Sequence, residues 1–145
     1  MTDVVLVRHA PSRRDPRRPA SEWTLQPDAG ERIRALADRL VPLGLDLVVA
    51  SMEPKAFATG RGLADRLAVP CASAPRLHEH ERGSLPLLAD GAWEDAVRRL
   101  FRNPDVLVFG LETANEARQR FQNGLAAALE RSGARRPAVV AHGTV

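Results

Sequence analysis

Short, continuous apolar runs punctuate this 145-residue chain, and three of them deliver a polar side chain at their carboxyl end. "DVVLV" (Asp3 to Val7) leads into Arg8 and His9, "LDLVVA" leads into Ser51, and Ala138 to Ala141 leads into His142 and Gly143. Apolar runs of this length without alternation are the pattern of strands covered on both faces. Segments of helical periodicity lie between them. Ile33, Leu36, Ala37 and Leu40 recur at helical spacing from about Ala29, and Gly44 supplies a stop. Pro54 suits the first turn of a second helix reaching about Leu67, although Gly60 and Gly62 weaken it. "VPCASAPRL" reads as a short third strand and "AWEDAVRRLFR" as a helix, while Val106 to Phe109 is ambiguous between extended and loop. Thr113 and Glu116 form a capping box that opens a last helix, and Gly133 closes it.

Strands alternating with helices specify an α/β domain, here a three-layer sandwich with a mainly parallel sheet and helices on both faces. The length suits one domain over residues 1–145, and no repeat or long linker divides it. Ligands in such sheets bind beyond the carboxyl ends of the strands. His9, Ser51 and His142 are therefore expected on one rim, although they come from remote parts of the chain.

Composition removes several classes of function. No apolar run approaches the roughly 20 residues of a membrane span, and the N-terminus lacks the pattern of a signal peptide. A single cysteine, Cys71, permits no internal disulfide, and a cytoplasmic location is expected. Net charge is +3 and the isoelectric point about 10.3, but basic residues are spread along the chain among acidic ones, so no nucleic-acid partner is expected. The densest basic cluster, Arg13 to Arg18, reads either as a solvated loop or as a positive rim beside His9. His78 and His80, at i and i+2, would suit a metal on a strand. A surface loop pair is the preferred reading, and no metal or cofactor is expected.

A rim with two histidines and basic side chains suits phosphoryl transfer. Neutral imidazole is a competent nucleophile near pH 7 and can form a phosphohistidine, splitting one displacement into two. The transferred group needs fixed cations around its oxygens. A carboxyl group must protonate the leaving oxygen and then activate water. Glu79 and Glu81 are the available candidates.

These segments resemble the histidine phosphatase superfamily, the phosphoglycerate mutase-like fold. "LVRHAPS" is similar to its opening block, with Arg8, His9 and Ser12 matching and Ala10 where a glycine is usual. "SMEPKAFATG" resembles the second block through Ser51, Ala56 and Thr59, "LHEHERG" the third through Glu79, and "GLETANEARQRF" a fourth through Glu112, Thr113 and Arg120. "VVAHGTV" resembles the closing strand. The resemblance implies His9 as nucleophile, Glu79 as proton donor, His142 as a catalytic phosphate ligand, and Arg8, Lys55, Ser12 and Gly143 around the phosphate of a small phosphorylated substrate. It implies hydrolysis of phosphate monoesters, with mutase-type transfer or a non-catalytic phosphate-binding or interaction module as alternatives. Oligomeric state and substrate identity are not readable.

Two departures stand out. Lys55 occupies the position where the family usually has a second phosphate-binding arginine, and it is the only lysine beside twenty arginines. Lysine keeps the charge and loses the planar fork, so a less rigid hold on phosphate is expected. The chain also stops at Val145, where relatives usually continue into a further helix; a domain lacking that helix would expose apolar sheet.

Overall fold

The computed structural model describes residues 3–144. Strands β1 (Val5–Arg8), β2 (Leu47–Ser51), β3 (Cys71–Ala74) and β4 (Pro137–Ala141) form one parallel sheet in the order β1-β4-β2-β3. Helices α1 (Ala29–Leu40), α2 (Pro54–Leu67), α3 (Asp90–Arg102) and α4 (Ala114–Ser132) complete the chain. The strand pleat sorts the core into two layers. Val7, Val48, Ala50, Ala138 and Val140 pack with Ile33, Ala37 and Leu63 of α1 and α2. Val49 and Val139 turn to the opposite face and pack with Phe121, Leu125 and Ala128 of α4. The expected three-layer α/β sandwich is thus observed, with helices on both sides. No helix among the described residues is long and apolar enough to cross a membrane.

Three details differ from the sequence reading. β1 is an edge strand, not one covered on both faces, and Leu6 is 64% exposed. The cover from α4 packs on Val49, Ala74 and Val139, of β2, β3 and β4. Second, α2 runs unbroken through Gly60 and Gly62. A Cβ at Gly60 would lie 2.8 Å from that of Ala50, and one at Gly62 would lie 2.9 Å from Ile33 Cγ2, so close packing on β2 and α1 selects bare backbone there. The helix-propensity cost of the two glycines is offset by that packing. Third, Val106 to Phe109 forms no strand; it belongs to a bent loop between α3 and α4. The capping box at Thr113 and Glu116 is present in both directions.

Pairing register places the rim. Arg8 lies opposite Ala141 and Ala50 opposite Val140, so the residues after β1, β2 and β4 emerge together.

Candidate active site

His9 follows β1 directly. Its backbone N–H donates to the Ala141 carbonyl at 3.0 Å, extending the ladder by one bond. Its Nδ1 lies 2.7 Å from the Ala10 carbonyl. A carbonyl only accepts, so Nδ1 carries the proton and Nε2 keeps its lone pair. The loop is tied to α2, because Ala10 N–H donates to Thr59 Oγ1 at 3.0 Å and that hydroxyl donates to the Lys55 carbonyl at 2.8 Å. Burial lowers the pKa of His9; the Ala10 contact opposes this and Lys55 adds to it. The ring is a neutral base at pH 7.

The ring of His142 lies 5.3 Å from that of His9, centroid to centroid. Its Nε2 is 3.0 Å from Ser51 Oγ, which joins the ends of β2 and β4. Its Nδ1 is 3.8 Å from Glu53 Oε2 and has no hydrogen-bond partner among the described residues. The side chain is fully buried and stands behind the cavity wall. Burial pushes its pKa down; Glu79 pulls it up, Lys55 and His9 press it lower, and the result is about 3. His142 is therefore neutral at pH 7, able to donate one hydrogen bond but adding no charge.

Glu79 is the acid candidate that the fold turns inward. Arg82 Nη2 donates to its Oε1 at 2.7 Å, Thr144 Oγ1 to the same oxygen at 3.1 Å, and Lys55 Nζ to Oε2 at 3.2 Å. Burial raises its pKa, but Arg82 and Lys55 outweigh this and hold it near about 2. Glu81 turns outward to His78 at 3.0 Å and is exposed. His80 is not a surface residue: it is buried, with Nε2–H donating to the Glu112 carbonyl at 2.7 Å and its ring edge-on to Phe109. His78 and His80 thus engage different partners and share no face toward a metal.

Lys55 lies at the first turn of α2 and lines a cavity of about 480 Å³ together with Arg8, His9, Ser12, Glu79 and Arg82. Its ammonium is 2.6 Å from the Ala20 carbonyl, 2.7 Å from Glu53 Oε2 and 3.2 Å from Glu79 Oε2. Glu53, Glu79 and His142 bring possible ligand atoms within 4.8 Å of one another, and the Lys55 ammonium already supplies positive charge between the two carboxylates. The Arg8 side chain makes no hydrogen bond or ion pair among the described residues, and its guanidinium lies over Gly143, where a Cβ would meet it at 3.2 Å. Gly143 itself is not on the cavity wall. The basic loop is largely self-neutralised: Arg14 pairs with Asp90, Arg17 with Asp15, and Arg18 with Glu22. Trp23 and Trp93 line the cavity, and the Arg82 guanidinium stacks 4.0 Å from the Trp93 ring.

Two contributors escaped the sequence reading. Glu53 stands between two recognised block residues, and its only signal was an acid at i−2 from the lone lysine. Arg82 gave no motif. Arg120, placed in the fourth block by the resemblance, grips both Glu112 oxygens, at 2.6 and 3.1 Å, and donates to the carbonyls of Arg76, His78 and Glu79. Glu112 also accepts from Glu81 N–H at 3.0 Å. This clamp sets the path of the loop that carries Glu79.

The site should make the fold acid-sensitive. Folded-state pKa values of about 3 for His142 and about 2 for Glu79 lie below the unfolded values of 6.5 and 4.5. The unfolded chain therefore binds more protons as pH falls, and the stabilisation present above those unfolded values is lost on the way down. Unfolding free energy measured by urea titration is expected to fall from about pH 6.5 toward pH 3, and His142→Gln is expected to flatten the upper part of that slope. A profile unchanged in the variant would remove His142 as the cause.

Fold and rim define an α/β protein with a histidine-centred, cation-lined hollow at its strand ends. The sequence profile of the histidine phosphatase superfamily (branch 1) matches residues 4–145, and the chain belongs to that superfamily. Solved structures share the fold. YhfR of Bacillus stearothermophilus is 17% identical, with a TM-score of 0.76 over 97% of this chain and 74% of that one. Mycobacterial glucosyl-3-phosphoglycerate phosphatase is 22% identical, with a TM-score of 0.76 over 99% and 75%. The alpha-ribazole phosphatase of Shigella flexneri is 19% identical, with a TM-score of 0.67 over 96% and 73%. A search of curated protein sequences finds no significant match.

Proposed function

We propose that the chain is a phosphatase that hydrolyses small phosphate monoesters through a phosphohistidine on His9. The observation that carries this reading is the meeting of the His9 and His142 rings at 5.3 Å, at a cavity with Arg8 on its wall. Nε2 of His9 attacks phosphorus as the bond to the leaving oxygen breaks. The arriving phosphate draws Arg82 and Lys55 away from Glu79 and adds negative charge beside it, which raises its pKa. Glu79, having taken up a proton from solvent, then protonates the leaving oxygen, and in the second step takes a proton from the water that displaces His9 and releases inorganic phosphate. Phosphatase names among proteins of the same fold support the class, and the substrate stays open.

A second reading, a phosphate-binding module without turnover, is favoured by one observation: the Lys55 ammonium is buried and its charge is already paired with Glu53 and Glu79. One experiment separates the two. Incubation with an aryl phosphate, quenched in alkaline denaturant, should give turnover and an alkali-stable, acid-labile phosphoenzyme, inhibited by vanadate and unaffected by chelator. Phosphate binding without turnover or labelling would establish the second reading, and loss of turnover on chelation would replace both with a metal-dependent one.

A further inference from the structure

We propose that Glu53 is an internal competitor for substrate phosphate, occupying the Lys55 ammonium until a phosphate displaces it. The inference rests on the reading that this hollow receives a phosphate. An ammonium has three N–H donors. Two of those of Lys55 are donated within the protein, at 2.6 Å to the Ala20 carbonyl and 3.2 Å to Glu79, while Glu53 Oε2 pairs with the ammonium charge at 2.7 Å without hydrogen-bond geometry; the side chain is 1% exposed. Glu53 makes the shorter of the two carboxylate contacts. It cannot swing aside freely, because its other oxygen accepts from Glu79 N–H at 3.0 Å. The second cation at this end of the cavity, Arg82, is held by Glu79 at 2.7 Å. The protein's own carboxylates, Glu79 on the cavity wall and Glu53 beside it, therefore hold the cations that a phosphate would need, and burial makes that hold stronger than it would be in water. A phosphate gains Lys55 only by breaking the Glu53 contact, so Glu53 weakens every phosphate ligand in proportion.

Glu53→Gln isolates this effect. The glutamine carbonyl can still accept from Glu79 N–H, while its amide nitrogen, a donor, then faces the Lys55 ammonium. One negative charge is lost and Lys55 is released toward the cavity. Inorganic phosphate titrated calorimetrically into the full chain is expected to bind E53Q at least about tenfold more tightly than the parent, the scale for removing one nearby competing charge. Adding Lys55→Gln to E53Q should abolish the gain. Where turnover is measurable, KM should fall in step with the tighter phosphate. Thermal unfolding checks that each variant is folded. If E53Q does not fold, Glu53→Asp, which draws the carboxylate back by one methylene, should still tighten phosphate several-fold. Equal or weaker phosphate binding in the folded variant overturns the proposal, as does a gain that survives loss of the Lys55 ammonium. Tighter phosphate in E53Q with no phosphoenzyme in any form would sink the catalytic reading and leave the role of Glu53 standing.

Discussion

His9→Ala is expected to lower kcat/KM toward an aryl phosphate by at least about 10³-fold and to abolish the acid-labile label, the scale seen when a covalent nucleophile is removed. Specific geometry makes this substitution decisive. The Ala10 carbonyl fixes the His9 tautomer, so a single nitrogen carries the nucleophilic lone pair. The neighbouring imidazole cannot take over. His142 is fully buried, its Nε2 lies against Ser51, and the side chain is not on the cavity wall. The fold should be spared. The His9 side chain is half-buried and its hydrogen bond is to the adjacent residue, so the change in stability should stay under about 1 kcal/mol. Thermal unfolding beside the rate measurement checks both halves. Labelling that persists in a folded His9→Ala protein would remove His9 from the mechanism.

Arg120→Ala should act through both stability and the site. The arginine joins α4 to the loop that carries Glu79, with contacts to both Glu112 oxygens and three loop carbonyls. Its removal strands a buried carboxylate and leaves those carbonyls with one donor fewer. Breaking a buried pair from one side costs about 3 kcal/mol, or a fall in melting temperature on the order of 10 °C for a chain of this size. The Glu79 loop loses its anchor at the same time, so turnover should fall by roughly 10²-fold, the scale of general acid–base assistance. Arg120→Lys retains the charge without the fork and should recover only part of each loss. A melting temperature within about 2 °C of the parent would show that α4 and the loop hold together without this clamp.

Much of the scaffold was legible in the residues. Apolar runs bounded by turns announced the strands, and Thr113 with Glu116 and Gly133 marked the last helix at both ends, because caps are local chemistry. The family blocks located His9, Glu79 and His142, and the fold brings all three to one rim. Other features depend on partners far away along the chain. Glycines at 60 and 62 looked like helix breakers until α2 was seen against Ala50 and Ile33. Val4 to Val7 looked like a central strand because its composition does not reveal which neighbours cover it. His80 read as a surface residue, and its burial depends on Glu112 and Phe109, some thirty positions later.

Charge pairing divides the two kinds of information most sharply. Periodicity, turn residues and strand-end polarity are short-range properties, so the chain alone already specifies an α/β domain with histidines at its strand ends. Which acid meets which base is a long-range outcome. Lys55 looked like a free phosphate ligand, and only packing showed Ala20, Glu53 and Glu79 converging on its ammonium. Arg120 matched a family block without a visible partner, and only the meeting of α4 with the Glu79 loop made it a clamp. Long charged side chains reach several ångströms in any direction, and a linear pattern carries no record of what they will touch.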